Sequence, residues 1–191
     1  ASPLVKAIRD ADPYVRTTSA KAVEKLGADA VKTVVAEIAA EMSDERPEVR
    51  REAASLLWRL GPLAADVVPE LTKALASEDE VVRGKAAWCL GNAGAAGKPA
   101  LDALAKAASD PVEDVRKGAA NAIAKIDPAT AFASERTAVR LAALQAYGDW
   151  PKNKEGTDPV IVAGVRKSID DRSEEDGGWA VHALDTFASA G

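Results

Sequence analysis

Apolar and polar positions recur along this chain with a period far longer than one helical turn. The dipeptide Val-Arg marks the phase. Val15, Val49, Val82, Val115 and Val139 follow one another at steps of 34, 33, 33 and 24 residues. Five residues before each valine stand Asp10, Asp44, Ser77, Asp110 and Ser134, residue types that favour helix N-termini. Five residues after it come Ala20, Ala54, Ala87, Ala120 and Leu144, and eight after it Val23, Leu57, Leu90, Ile123 and Tyr147. Gly27, Gly61 and Gly94 follow at twelve, where a helix C-terminus wants glycine. Apolar residues at three- and four-residue steps after a capping residue predict an amphipathic helix starting at each Val-Arg.

A second, shorter apolar segment precedes each of these helices: "PLVKAI", "DAVKTVVAEIAAEM", "DVVPELTKALAS", "KPALDALAKAAS" and "DPVIVAGVRKSI". Turns such as "DADPY", "DERPE" and "DPVED" separate the two. The repeating unit is therefore a helical hairpin. Six units follow, at about 1–27, 28–61, 62–94, 95–127, 128–150 and 151–191, in one repeat domain. The fifth is short, because "DPATAFASER" leaves room for barely one turn of a first helix, and a local stacking defect is expected there. Its successor keeps the periodicity through Asp171, Ala183, Leu184 and Phe187 but loses Val-Arg, as a terminal unit with one face in water is expected to do. The sixth Val-Arg, Val165-Arg166, is out of phase. Gly148 to Pro159 is the longest polar, breaker-rich stretch and the predicted mobile insertion. Ser2 followed by Pro3 forms a competent helix start.

"DADPYVRTTSAKAVEKLG", "DERPEVRREAASLLWRLG" and "SEDEVVRGKAAWCLGNAG" resemble HEAT repeats, of the subtype seen in phycobilisome-lyase-like proteins. The likeness is close over residues 1–127 and loose over 128–191. It implies an all-α fold, a right-handed α-solenoid of about six stacked hairpins whose second helices line an inner, concave side. It also implies a structural ladder of repeated acids and arginines along the turns: Asp10, Asp44 and Asp110 with Arg16, Arg50, Arg83, Arg116 and Arg140. Ser77 and Ser134 would weaken that ladder at their rungs.

At 100° per residue, with the valine at zero, the apolar positions of the second helix centre near about 60°. Position plus six falls opposite, near about 240°. Its occupants are Lys21, Ser55, Trp88, Asn121, Gln145 and His182, a solvent-facing row in which a tryptophan stands. Trp58 lies in the neighbouring row at plus nine, with Gly91, and Gly84 lies at plus two. Gly84 and Gly91 are expected to strip the surface around Trp88 and leave an aromatic floor with accessible backbone, toward which Trp58 leans. Asn92, Asn121 and Gln145 would supply hydrogen bonds beside it, and Trp179 a second aromatic near His182. A tryptophan at this edge equally fits a filler of the seam between units.

The same rows carry Lys21, Lys25, Arg51, Arg59, Lys85, Lys117 and Lys125 against Glu24 and Glu52. The strip either solvates an exposed helix face or steers an acidic peptide or phosphate backbone. Net charge is −5 over 191 residues, which argues mildly against a dedicated nucleic-acid binder. Aromatics make up only 4% of an alanine-rich chain, so the interior must be built from small side chains on close helices.

Chemistry is sparse. The single cysteine excludes an internal disulfide and a multi-cysteine metal cage, and Cys89, at plus seven, points into the core. No G-x-x-x-x-G-K-[ST], G-x-S-x-G or H-E-x-x-H occurs, and Ser-His-Asp chemistry has only His182 to draw on. Iron-binding HEAT-repeat hydroxylases need repeated His-Glu pairs, which are missing here. No metal site, catalytic residue or cofactor is expected.

The expected function is a non-catalytic scaffold that presents a concave, Trp-containing surface to a protein or peptide partner. The alternatives are a nucleic-acid or anion-groove binder or enzyme, similar to HEAT-repeat DNA glycosylases, and a subunit similar to bilin lyases. No apolar run reaches 18 residues, so no span is expected. A start at Ala1 is compatible with a cytoplasmic chain or with one exported after N-terminal processing.

Overall fold

A computed structural model of the chain describes residues 2–134 together with 139, 140 and 163. Nine helices are described: α1 Pro3–Ile8, α2 Pro13–Glu24, α3 Ala28–Ala40, α4 Pro47–Leu60, α5 Val68–Ala74, α6 Glu80–Asn92, α7 Leu101–Ala107, α8 Glu113–Ile126 and α9 Pro128–Phe132. Short 3₁₀ segments at Glu41–Ser43, Gly61–Val67 and Gly94–Ala100 link them. The hairpins of the first four units are α1–α2, α3–α4, α5–α6 and α7–α8, and α9 is the single short turn anticipated at the start of the fifth. The predicted loop at 148–159, the sixth unit apart from Ala163, and the stacking defect lie outside the described residues.

Local chemistry explains the boundaries. Ser2 caps α1, its hydroxyl accepting from the Val5 amide, with Pro3 at the first helical position. Asp12 and Asp79 cap α2 and α6, accepting from Tyr14 N–H and Val81 N–H. Asp10, Asp44, Ser77 and Asp110 are not themselves the helix caps. Each stands two residues earlier, its side chain accepting the amide of residue i+2 at 2.9–3.3 Å, and so shapes the turn that delivers the chain to the cap. Gly61 and Gly94 end their helices with φ of +57° and +55°, a conformation that needs glycine. Gly27 does not, since it precedes α3 in extended conformation as its N-cap. In the third and fourth units a 3₁₀ lead-in replaces the first part of the first helix. Pro99 falls within the second of these, where its missing N–H interrupts no α-helical ladder.

The helices stack in two layers. The second helices pack in the order α2, α4, α6, α8, while α1, α3 and α5 form the other layer, continued by the lead-in to α7. The apolar positions inferred from the repeat meet between them. Ala53, Ala54, Leu56, Leu57 and Leu60 of α4 are buried, as are Ala119, Ala120, Ala122, Ile123 and Ile126 of α8. So are Val49, Val82, Val115 and Val139, four of the five valines that mark the period, while Val15 is half-buried. Cohesion comes from many small side chains in close contact, each contact weak and the sum large. No helix among the described residues is long and apolar enough to cross a membrane.

Candidate functional site

The second-helix layer is not uniform. The approach of α6 to α8 is lined by glycine. Gly84 and Gly91 are buried, and a Cβ placed on Gly91 would stand 3.0 Å from Cα and 3.3 Å from Cβ of Ala122 on α8. A Cβ on Gly84 would lie 2.9 Å from the Asp114 carboxylate. These glycines therefore do not strip the surface around Trp88, as the single-helix projection suggested. Gly91 admits the neighbouring helix, and Gly84 faces the Asp114 side chain. The projection fails because plus two and plus nine lie on the flank that an adjacent unit covers, and a wheel drawn for one helix has no neighbour.

Trp88 is half-buried rather than open. Its indole edge lies over Gly118 of α8: a Cβ there would meet Cδ1 and Nε1 of the ring at 3.1 Å, and Ala87 Cβ at 3.2 Å. It fills the seam between the third and fourth units. Trp58 is different. It is 42% exposed, and with Tyr14 at 78% it is one of two large hydrophobic residues left exposed among the described residues. The Lys85 ammonium, from the following unit, sits 4.1 Å from the Trp58 ring centroid, a cation–π pair across the unit boundary. Trp58 therefore leans on Lys85 and not toward a vacancy beside Trp88.

The other predicted positions divide. Asn92 ends α6 and is half-buried. Asn121 is half-buried on α8, and its side-chain oxygen is enclosed without a hydrogen-bond partner. Gln145, Trp179 and His182 lie outside the described residues. Cys89 is buried, and burial pushes its thiol up to about 12, so it remains protonated and unreactive at neutral pH.

Arginines organise the turns in a way that the repeat resemblance only outlined. At each Val-Arg the guanidinium reaches back to the carbonyls of residues i−6 and i−5. Arg16 donates to Asp10 and Ala11, Arg50 to Asp44 and Glu45, Arg83 to Ser77 and Glu78, and Arg116 to Asp110 and Pro111, at 2.8–3.1 Å. Arg140 does the same to the Ser134 carbonyl at 2.9 Å. Backbone oxygens accept these bonds, so serine at 77 or 134 does not break the pattern.

Carboxylates then join one unit to the next. Arg83 grips Asp110 with two bonds of 2.8 and 3.0 Å, which holds the Asp110 carboxyl below the usual range while burial pushes the other way. Asp44 receives Arg9 at 2.9 Å, and its neighbour Arg46, the main cause of its own lowered pKa, at 3.0 Å. At the third unit Asp79, two residues beyond Ser77, takes the role, pairing with Arg51 at 2.8 Å and Arg50 at 3.7 Å. The ladder expected to weaken at Ser77 is thus carried by Asp79. The pattern "SEDE" shows the substitute acid, but not that it reaches the same arginine.

Two clefts flank these layers. One, of about 400 Å³, opens on the turn side among Asp44, Arg50, Lys73, Ser77 and Glu78. The other, of about 330 Å³, is bounded by Leu101, Ala105, Ile123, Thr130 and Val139. Among the described residues no group of three His, Cys, Asp or Glu side chains is placed to hold a metal ion.

Comparison with known proteins agrees with this architecture. Residues 35–124 match the HEAT repeats family. No curated protein sequence matches the chain. Among solved structures, an engineered protein from a structural genomics consortium is 21% identical, with a TM-score of 0.60 over 98% of this chain and 96% of its own. A designed armadillo repeat protein, solved in complex with the peptide (KR)4, is 16% identical with a TM-score of 0.57 over 96% and 98%. The Escherichia coli protein YibA is 20% identical with a TM-score of 0.56 over 97% and 72%. The chain is an all-α repeat solenoid, and its residues 35–124 are similar to HEAT repeats.

Proposed function

We propose that the chain is a non-catalytic interaction scaffold whose second-helix surface receives a protein or peptide segment. The observation that carries this reading is Trp58. It is a large aromatic side chain, 42% exposed, on α4 in the middle of the second-helix layer, whereas Tyr14, the other exposed aromatic, stands at the very start of α2. Exposed tryptophan is enriched at the centres of binding surfaces because it loses much water-accessible area for little conformational entropy. Trp88 and Asn92 form the adjoining floor, with Asn121 beyond them on α8. Trp88 holds the seam and Trp58 makes the contact. The fold can serve such a purpose, since the designed armadillo neighbour holds a peptide.

Selection from a displayed peptide library tests the reading. The wild-type chain is expected to enrich a peptide class that the folded Trp58→Ala variant does not retain. Enriched peptides that bind Trp58→Ala as well as wild type would refute it. Duplex DNA run alongside distinguishes the nucleic-acid alternative, which requires an affinity falling steeply with salt and indifferent to position 58.

A further inference from the structure

The charges around Trp58 say more about the partner than its exposure does. The indole face is already occupied by the chain's own cation, the Lys85 ammonium 4.1 Å from the ring centroid. A cationic side chain arriving at this ring would have to displace Lys85 and bring a second positive charge beside it. Two arginines of α4 are neutralised: Arg59 by Glu24 and Glu52, and Arg51 by Asp79. Lys21 and Lys25 of the first unit and Lys85 of the third make no ion pair with a described carboxylate, nor does Lys125 on α8. The remaining acids of this layer stand in the first turns of α4, α6 and α8: Glu48, Glu80, Glu113, which pairs with Lys117, and Asp114, whose carboxylate lies against Gly84. In a chain of net charge −5, the surface around the exposed tryptophan is locally basic.

We infer that this face binds an acidic peptide segment, with an apolar residue of the partner on the free edge of Trp58 and carboxylates on Lys85 and on Lys21 or Lys25. The inference rests on the interaction-surface reading above and adds the chemistry of the ligand. Adjacent packed helices lie about 8–10 Å apart, so lysines on α2 and α6, with α4 between them, are separated by about 16–20 Å. An extended chain advances about 3.3 Å per residue. The two acidic contacts therefore fall about five or six residues apart, with the apolar residue between. This preference is opposite to that of a scaffold built to hold Lys-Arg peptides.

The test uses three fluorescein-labelled nonapeptides, with the repeats Glu-Glu-Leu, Lys-Lys-Leu and Ser-Ser-Leu, titrated with the full chain by fluorescence anisotropy. The acidic peptide is expected to bind most tightly, and to weaken about tenfold or more when salt is raised from about 50 mM to about 500 mM. Lys85→Glu is expected to weaken it by at least about tenfold. The control Lys106→Glu, on α7 in the other layer, makes the same charge change and is expected to leave binding within about twofold. Tighter binding of the lysine or serine peptide, sensitive to Trp58→Ala, overturns the acidic preference while the interaction surface stands. Binding of all three that ignores Trp58→Ala overturns both. Equal loss in Lys85→Glu and Lys106→Glu also overturns the inference, because net charge alone then explains the effect. Single-stranded DNA binding more tightly than the acidic peptide, and lost in Lys85→Glu, assigns the face to nucleic acid instead.

Discussion

Two glycines on one helix make a sharp test of why α6 and α8 lie so close. Alanine exceeds glycine in helix propensity by about 1 kcal/mol, so Gly84→Ala and Gly91→Ala begin with the same gain. Their surroundings differ. At Gly84 the single atom within 3.4 Å of the new methyl is Oδ2 of Asp114, the end of an exposed side chain that rotates aside. At Gly91 the obstacle is the α8 backbone, with Ala122 Cα at 3.0 Å and its Cβ at 3.3 Å, and it yields only if the two helices separate. Forcing extra volume into a packed interface costs about 1–3 kcal/mol. Gly84→Ala is therefore expected to stabilise the chain by about 0.5–1 kcal/mol, and Gly91→Ala to destabilise it by about 1 kcal/mol once propensity and overpacking are summed. Urea unfolding followed by circular dichroism reads both, and the midpoints should move in opposite directions. If Gly91→Ala stabilised as much as Gly84→Ala, close helix approach would not be the reason for glycine at 91, and the account of this interface would fall.

The remaining predictions concern the unit boundaries. The Arg83 and Asp110 side chains are only 14% and 11% exposed, so Arg83→Ala, which strands a shielded carboxylate and two backbone carbonyls, is expected to cost about 3 kcal/mol in urea unfolding. Because Arg83 lowers the Asp110 pKa in the fold, the ionised carboxylate stabilises the protein fully above its unfolded pKa, near 3.8, and that contribution disappears as pH falls through the lower folded value. The stability gap between wild type and Asp110→Asn should thus be constant near neutrality and shrink below about pH 4, as measured by unfolding at a series of pH values. A gap that widens on acidification would contradict the assignment. Trp88→Ala is expected to cost about 2–3 kcal/mol, since it empties the seam above Gly118, and Trp58→Ala less than about 1 kcal/mol. Equal losses would mean that the two tryptophans do the same job.

The repeat made much of this protein legible before any coordinates. A helix buries the positions its period brings to one side, so the residues at plus four, five, seven and eight after Val-Arg identified the core of α4, α6 and α8. Capping chemistry is equally local: Ser2 with Pro3, and Gly61 and Gly94 at positive φ, follow from a few adjacent residues. What depends on the next unit was not legible. A single helix wheel placed Gly84, Gly91 and Trp88 on an open face, but α8 covers that flank, and Gly91 makes room for its backbone. The same is true of Asp79, which replaces Ser77 in pairing with the preceding unit, and of Lys85, which crosses a boundary to cover Trp58. Periodicity along one chain determines which residues a helix can bury, whereas the lateral approach of helices far apart in sequence decides which remaining side chains meet water and which meet each other.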